Sequence, residues 1–480
     1  MLSFGPYRPD MAETNPGVSR RVLNVHPRRD GSGISYHPRA SLAVPATAQA
    51  LPGQSRGSLA VVTQDGAFKG FFGTSNKLYM LNSDFSFTEI GTGYTVPTGD
   101  SWGMLQYGPR LLATNAFNGM LTYNVELGGA VTAVVGAPKA VSLFAAFECV
   151  FALACDGQNQ LMRNSAPGDY TNWKTRGAGA QEFADGEGLM GGGPLNDGVA
   201  GVIQKAAVSL LSVTGDRLVY RKDKVAEGVG AVNRECIVQA PGALYFYDTS
   251  GFYRLTAGGL EPIGQDKVNR TFAAALGQMD GLSGAYDPLN RQVVWRYAAG
   301  TVSGAVLQNL IVYDIGTGEF VEAEESTADI MRMSSPAYTL EDMNVFGSLD
   351  ALPYSLDSAV WKGGRPTLAA LDADRKFGFF NGPNLPASID TATLTDTSSM
   401  LVTWAMPVTD GEAFTLALTV RDRLSDTGAM KAPASMQASG RVPLRGRGKV
   451  LTLTAQAPAG DTWTYLRGVD DLVITKGGKR

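Results

Sequence analysis

Short runs of apolar, aromatic and β-branched residues recur along most of this chain, with Gly, Asn or Asp between them. The first such pair is Leu59–Thr63 and Ala67–Phe72, separated by Asp65 and Gly66. β-Branched and aromatic residues favour strands, whereas Gly, Asn and Asp supply the backbone geometry of tight turns. Short strands at spacings of roughly 8–12 residues indicate a sandwich, a barrel or a propeller. We therefore predict a mainly β fold.

A second repeat, with a longer period, accompanies these short runs. Similar sequence motifs, here called phrases, begin at Gly73, Asn115 and Asp156, and each leads into an apolar run. Their spacing of roughly 40 residues is the length of one four-stranded propeller blade. Further predicted strands continue the series: Ala207–Val213, Arg217–Tyr220, Ala243–Tyr247, Gly251–Leu255, Gln292–Tyr297 and Asn309–Tyr313. The repeat predicts a degenerate β-propeller over residues 55–348.

The two ends of the chain differ from this middle part in composition and in the pattern of apolar residues. Residues 1–54 are rich in Pro, Gly, Ser and Arg and lack alternating apolar residues, which predicts an extended N-terminal arm. Such an arm either stays flexible or becomes ordered on a neighbouring subunit. A helical turn is predicted at Thr339–Asn344. Residues 349–480 then predict a smaller C-terminal β-sandwich or barrel domain, with strands at Met400–Ala405, Ala413–Val420, Lys449–Ala455 and Leu472–Thr475.

Composition limits the classes of function. The chain of 480 residues has 58 glycines, 18% charged residues and a net charge of -4. A dedicated nucleic-acid-binding domain normally carries a basic excess, although a weakly charged wall still permits DNA to slide past. Three cysteines without a metal or disulfide spacing predict folding in a reducing cytoplasm. The N-terminal residues do not resemble a secretion signal, and no apolar stretch predicts a membrane span.

Residues with catalytic chemistry are scarce. Both histidines, His26 and His37, lie in the predicted arm, where we expect them to be solvated. The glycines at 191–193 lack the Lys and Ser/Thr of a phosphate-binding loop, so a flexible loop is expected there. We predict a protein that is not an enzyme and that has no cofactor or metal. Two acidic clusters are predicted to be solvated edges rather than acid–base pairs: Glu322, Glu324 and Glu325, and Asp372 and Asp374.

One basic run stands apart near the C-terminus. Arg441, Arg445, Arg447 and Lys449 occupy odd-numbered positions among Gly, Pro, Leu and Val. If this segment is a strand, these side chains share one face, because successive side chains alternate. The run is either a charged edge that prevents sideways strand pairing or a contact for an acidic neighbour or for DNA phosphates. It is the candidate DNA-channel or subunit contact of this chain.

A set of phrases stands in a fixed order between residues 100 and 480. They are Ser165–Trp173, Gly242–Arg254, Glu261–Val268, Ala285–Trp295 with Leu310–Asp314, and Leu349–Trp361. In this order they are similar to podophage tail proteins called tail nozzle, tail tubular protein B or packaged-DNA stabilisation protein. The first resembles the family's turn before a tryptophan, the second its aromatic hairpin and the third its Pro-Ile-Gly connection.

The resemblance implies a structural subunit of a ring, expected to be a homohexamer, that docks beneath the head-to-tail adaptor protein. It also implies an outer propeller, a C-terminal domain that helps to line the channel, contacts with tail fibre or spike proteins, and non-specific passage of double-stranded DNA. The expected location is the virion tail, assembled in the host cytoplasm. One alternative remains open: a propeller tail protein that binds a receptor or degrades a glycan.

Overall fold

The computed structural model describes residues 2–31, 33–214, 216–277, 279–299, 307–334 and 366–476. Within these ranges, regular structure is almost entirely extended, in strands that begin with Leu2–Ser3 and end with Ile474–Lys476. One α-helix, Asn269–Ala275, and two short 3-10 turns, Cys155–Gly157 and Met279–Gly281, complete the described elements. The prediction of a mainly β fold is confirmed.

Six four-stranded antiparallel units follow one another along the described chain, and we call them blades 1 to 6. Five are separate sheets, and blade 6 forms one end of a larger sheet. The predicted propeller is thereby confirmed. Blades 1 to 3 consist of Ser58–Val62, Phe68–Gly73, Lys77–Leu81 and Phe87–Thr92; Gly103–Tyr107, Arg110–Thr114, Leu121–Asn124 and Thr132–Ala133; and Ser142–Ala146, Cys149–Leu153, Leu161–Asn164 and Gly179–Glu182. Blades 4 to 6 consist of Leu189–Asn196, Val199–Gln204, Ala207–Thr214 and Asp216–Glu227; Val238–Ala240, Ala243–Asp248, Gly251–Thr256 and Gly259–Pro262; and Ser283–Asp287, Gln292–Tyr297, Leu307–Asp314 and Glu319–Thr327.

The repeat seen in the sequence has a simple structural origin. The phrases that begin at Gly73, Asn115 and Asp156 all fall at the connection between the second and third strands of blades 1, 2 and 3. Each connection needs a turn followed by an apolar strand, so the same residue types recur there. The predicted turn at Asp65 and Gly66 joins the first two strands of blade 1. Gly66 adopts a φ of 85° there, a conformation that favours glycine.

A smaller sheet lies between blade 6 and blade 1 and closes the ring. It consists of Asp329–Ser334, Pro366–Leu371 and Phe377–Phe379, and we call it the closing sheet. Its first strand packs against the first strands of blades 1 and 6. On its outer edge, Ala43 and Phe379 exchange two backbone hydrogen bonds of 2.8 and 3.0 Å. The N-terminal segment therefore completes the closing sheet.

Beyond the closing sheet, the chain forms a second β unit that we call the C-terminal sheet. Its two longest strands, Leu394–Thr409 and Val442–Ala457, are 16 residues each and pair with each other. Thr415–Arg421 pairs with the second half of Val442–Ala457, which gives the sheet a second branch. This unit is the predicted C-terminal β domain. Its other strands are Ala387–Asp390, Ala429–Met430, Ala434–Ser435, Leu466–Asp470 and Ile474–Lys476.

The N-terminal arm bridges the propeller and the C-terminal sheet. Its strand Val22–Leu23 pairs in parallel with blade 6 at Glu322 and antiparallel with Ala387–Asp390. A hairpin of Val25–Asp30 and Gly33–Pro38 follows, and its second strand pairs with the C-terminal sheet. One continuous sheet therefore runs from blade 6 through the arm to the C-terminal strands.

Apolar side chains explain the position of the arm. Phe4, Tyr7, Val22, Val25 and Tyr36 belong to one core cluster with residues of blade 6 and the C-terminal sheet, and none is more than 2% exposed. The arm is extended, as predicted. Its apolar residues are buried in its own chain.

The predicted domain boundaries, at residues 54/55 and 348/349, stay predictions. The second boundary, the predicted helical turn at Thr339–Asn344 and the phrase Leu349–Trp361 lie outside the described residues. Near the first boundary, Ala50 still pairs with Lys376 of the closing-sheet turn. The arm therefore contacts the ring almost to its predicted end.

Candidate functional site

The predicted basic run lies on the long strand Val442–Ala457, where buried and exposed positions alternate along the first half. Val442 and Leu444 lie in the core. A Cβ at Gly446 would stand 2.4 Å from Leu418 Cδ2 on the neighbouring strand, so any larger residue would force that side chain to move. The predicted shared face is present, and its function stays a prediction. We call it the basic face, and its exposed members are Arg441, Arg445, Arg447 and Lys449.

Few protein groups engage the basic face. Arg441 lies over the Trp404 ring at 4.1 Å and stands 3.9 Å from Asp471, with both charged side chains about half exposed. Arg447 Nε donates to Ser399 Oγ at 3.0 Å. Exposed ion pairs of this kind contribute at most about 1 kcal/mol, so these cations remain available to an external anion.

A propeller has a central channel, which makes its axis a second place for a site. Here a cavity is lined mainly by the first strands of blades 1, 2, 5 and 6 and of the closing sheet. Its described lining mixes apolar side chains, such as Val238 and Ile330, with the amides of Gln106 and Gln239, and Arg332 is the one charged side chain in it. The described lining therefore contains no carboxylate or imidazole that could act as an acid or a base.

Blades are linked to one another by Arg234, which lies just before the first strand of blade 5. Its guanidinium donates to the carbonyl oxygens of Ser101 and Val141 and to Glu235 Oε1, each at 2.7 Å. Val141 directly precedes the first strand of blade 3, and Ser101 lies two residues before the first strand of blade 2. Arg234 thus joins three blades at the same end of the ring. A single arginine in an irregular segment has no sequence pattern, so sequence reasoning missed it.

The acidic cluster of blade 6 holds the arm. Glu322 forms a hydrogen bond with the Tyr7 hydroxyl, and Glu325 Oε2 accepts from the backbone N–H of Leu42 at 3.1 Å. Burial raises the pKa of both carboxyls. The prediction of a solvated edge is wrong for these two residues, because the arm covers them. Glu324 is exposed, as predicted.

A buried polar cluster lies where the arm meets blade 6. Gln292 Oε1 accepts from Arg39 Nη2 at 2.8 Å and lies 3.0 Å from His26 Nδ1, while Gln292 Nε2 donates to Asp314 Oδ2 at 3.0 Å. Because the amide nitrogen is directed at Asp314, the amide oxygen accepts from His26, which places the imidazole proton on Nδ1. His26 is 8% exposed, so the prediction that it is solvated is wrong. Sequence reasoning had no signal for Arg39 or Gln292.

The same surroundings control the charge of the histidines. Burial, reinforced by the Arg39 guanidinium, holds the pKa of His26 well below its usual range. Burial also lowers the pKa of His37, which is only partly buried and lies 3.3 Å from Ser35 Oγ through its Nε2. His26 is therefore neutral near pH 7.

The depressed pKa of His26 predicts a loss of stability in mild acid. Below about pH 6.5 an unfolded histidine takes up a proton, whereas folded His26 does not. The free energy of unfolding should then fall by up to about 1.4 kcal/mol per pH unit as pH decreases from about 6.5 towards the folded pKa. Urea denaturation of wild type and His26→Gln across this range measures the effect.

The quantity to compare is the pH dependence of the free energy of unfolding in wild type and in His26→Gln. The buried glutamates of blade 6, whose pKa values are raised, stabilise the folded protein as pH falls and so partly mask the effect of His26 in wild type alone. His26→Gln should flatten the loss in acid, and His37→Gln should flatten it less. Parallel pH profiles for wild type and His26→Gln would contradict the buried neutral imidazole.

Other positions singled out from the sequence have structural roles. The glycines at 191–193 lie in the first strand of blade 4, so the prediction of a loop is wrong. A Cβ at Gly192 would stand 2.6 Å from Gly201 O on the adjacent strand, which explains the glycine. Asp372 Oδ1 accepts from the Lys376 backbone N–H at 2.8 Å in the closing-sheet turn, and Asp374 is exposed.

Neither a cluster of metal ligands nor a long apolar helix is present among the described residues. No group of three or more His, Cys, Asp or Glu side chains there could hold a metal ion. The three cysteines, Cys149, Cys155 and Cys236, are free and buried. None of the described helices has the length and apolar character needed to cross a membrane.

No family model matches this chain, and no curated protein matches it. Among solved structures, a streptogramin B lyase aligns at 11% identity with a TM-score of 0.41, covering 61% of this chain and 92% of that chain. A fungal alcohol oxidase of the AA5 family, in complex with copper, aligns at 11% identity with a TM-score of 0.43, covering 91% and 99%. Virginiamycin B lyase from Staphylococcus aureus aligns at 14% identity with a TM-score of 0.27, covering 50% and 83%. Structural similarities this weak support no inference about function.

Proposed function

We propose that this chain is a structural, non-catalytic subunit of a bacteriophage tail tube of the nozzle type. In this proposal, copies form a ring, expected to be a homohexamer, that docks beneath the head-to-tail adaptor. The ring retains packaged DNA and forms the channel for its ejection. The ordered phrases of the sequence support the family. The observation that carries the proposal is the basic face, a row of solvated cations on a strand whose other face is buried.

The charge of the basic face suits passage of DNA better than tight binding. Alternate residues on a strand stand about 6.7 Å apart, so Arg445, Arg447 and Lys449 form a regular row. Affinity for DNA grows with each phosphate that is neutralised, and it falls steeply with salt. A short row on a chain with a net charge of -4 provides a weak, sequence-independent contact along which a duplex can slide.

The proposed DNA path lies between copies of the chain and outside the propeller. The guanidinium of Arg234 is occupied by hydrogen bonds that join blades, and the described lining of the propeller cavity contains a single cation, Arg332. The propeller cavity therefore offers little positive charge to a polyanion. The C-terminal sheet carries the exposed cations and is therefore the unit we assign to the channel wall, with the propeller as outer packing.

Charge reversal on the basic face should weaken DNA binding. In Arg445→Glu/Arg447→Glu, two cations become anions, and we expect at least a roughly 10-fold loss of affinity for duplex DNA at low salt. The slope of log affinity against log salt should become shallower by about 2, because about 0.9 is lost for each phosphate contact. Fluorescence anisotropy with duplexes of unrelated sequence measures both quantities.

The matched control is Lys139→Glu/Lys174→Glu, which reverses two exposed charges on the propeller. It changes net charge by the same amount and should leave the salt slope close to that of wild type. Equal losses of DNA affinity in the two double variants would mean that the basic face is only a solvated edge that prevents strand pairing.

A receptor-binding propeller is the second candidate. It is favoured by three exposed apolar side chains around blade 2: Phe117 at 47%, Leu127 at 87% and Val135 at 90% exposure. Binding of the purified chain to whole host cells would support this role. Release of reducing sugar from host envelope would instead support a glycan-degrading enzyme, for which the described residues offer no convincing acid–base pair.

A further inference from the structure

A second cavity lies at the junction of the arm, blade 6, the closing sheet and the C-terminal sheet. Its lining includes Arg39 from the arm, Asn290 from blade 6, Thr367 from the closing sheet and Trp463 from the C-terminal part. These elements are far apart in sequence, so the cavity exists only in the folded chain. It is separate from the basic face and from the propeller axis.

Two buried N–H donors of this lining have no acceptor among the described residues. Arg39 is 2% exposed, and its Nε is without a hydrogen-bond partner there. Trp463 is 3% exposed, and its Nε1 is likewise without a partner. A buried donor without an acceptor costs about 1–3 kcal/mol. Two such donors around one cavity indicate that an acceptor belongs there.

The nearby carboxylates are committed to other donors. Asp287 Oδ1 accepts from the Leu289 backbone N–H at 3.0 Å, and its Oδ2 accepts from Asn290 Nδ2 at 2.8 Å. Asp314 Oδ1 accepts from the Thr317 backbone N–H at 2.8 Å. Neither forms an ion pair with Arg39 within the described chain. The guanidinium therefore has a hydrogen bond to a neutral amide but no direct counter-ion.

The permanent charges of the lining have a positive balance. Arg28 and Arg39 line the cavity against the single carboxylate of Asp287, and the neutral imidazole of His26 adds no charge. Burial lowers the pKa of Arg39 to about 10, so it remains a cation at neutral pH. A fixed, buried guanidinium with a free donor is a suitable group for an oxyanion, because its planar fork matches carboxylate and phosphate oxygens.

We propose that this junction cavity binds a small oxyanion, a phosphate or a carboxylate, through Arg39 Nε and Trp463 Nε1. The bound oxygen atoms accept from both donors and place negative charge in direct contact with the guanidinium, which Asp287 and Asp314 stabilise only at longer range. Because the donors come from the arm and from the C-terminal part, the anion links two ends of the chain. Binding to the folded state alone stabilises that state in proportion to ligand concentration. This site is independent of the proposed tail function.

Isothermal titration of the full-length protein with inorganic phosphate, and separately with acetate, tests the proposal. Ionic strength is kept constant with chloride, so that general screening does not contribute. We expect saturable binding with a stoichiometry of one for at least one of the two anions. Binding of phosphate alone or acetate alone identifies the preferred oxyanion, and binding of both supports the shared chemistry. The absence of saturable binding for either anion would overturn the proposal.

Two variants assign the binding to this cavity. Trp463→Phe removes one N–H and keeps the ring, and it should weaken binding about 10-fold, as expected for one hydrogen bond to a charged group. Arg39→Gln should abolish saturable binding. Trp173→Phe is the matched control, because Trp173 Nε1 already donates to Tyr170 O at 2.8 Å, and it should bind as wild type does. Unchanged affinity in Trp463→Phe would place the anion elsewhere and reject the site, even if Arg39→Gln fails to fold.

Discussion

Replacing Val22 with aspartate is expected to remove a large part of the stability of this protein. Val22 is 0% exposed and pairs with Ile389 in the strand that joins blade 6 to the C-terminal sheet. An unpaired charge at such a position costs roughly 3–5 kcal/mol. Typical domains have only about 5–15 kcal/mol of stability in total. Soluble yield and urea denaturation measure the loss.

The control for this variant is Thr14→Asp, an exposed position in the same arm. It introduces the same charge and should change the free energy of unfolding by no more than about 0.5 kcal/mol. If Val22→Asp unfolds at the same urea concentration as wild type, the arm does not belong to the core of its own chain.

Replacing Arg234 with methionine is expected to lower the free energy of unfolding by about 3–5 kcal/mol. The side chain is 12% exposed. Its loss leaves the carbonyl oxygens of Ser101 and Val141 without this donor, and leaves Glu235 Oε1 with the Ser101 hydroxyl alone. Methionine keeps much of the volume, so the effect reports on the polar contacts.

Arg254→Met provides the comparison. Arg254 stands 3.6 Å from Glu261, and the two side chains are 37% and 64% exposed. Removing an exposed ion pair of this kind should cost at most about 1 kcal/mol. Similar losses for Arg234→Met and Arg254→Met would mean that Arg234 does not join the blades.

The propeller could be predicted from the sequence because its signal is local. Each blade is a meander of neighbouring strands, so apolar runs and turn residues such as Asp65 and Gly66 lie close together in the chain. The repeated phrases at Gly73 and Asn115 mark the same turn in consecutive blades. The alternation along Val442–Ala457 was likewise visible, since the strand period of two follows directly from side-chain geometry.

The arm and its contacts could not be predicted, because they depend on partners hundreds of residues away. Val22 and Tyr36 stand in a segment without periodicity, and their burial comes from strands near both blade 6 and the C-terminus. Glu322 and His26 are polar residues whose ordinary location is solvent. Glu322 is buried because the arm covers it, and its hydrogen bond to Tyr7 offsets part of the cost of burial. For His26, the hydrogen bond to Gln292 does the same. Residues of the junction cavity come together in the same non-local way.

In the ring that we propose, the lumen carries the basic face. Cryo-electron microscopy of the purified protein, alone and mixed with a head-to-tail adaptor protein, shows whether such a ring forms. We expect closed rings that stack beneath the adaptor, with Arg445 and Arg447 facing the lumen. A monomer that does not bind the adaptor, or a ring with those two residues on its outer surface, would contradict the proposal.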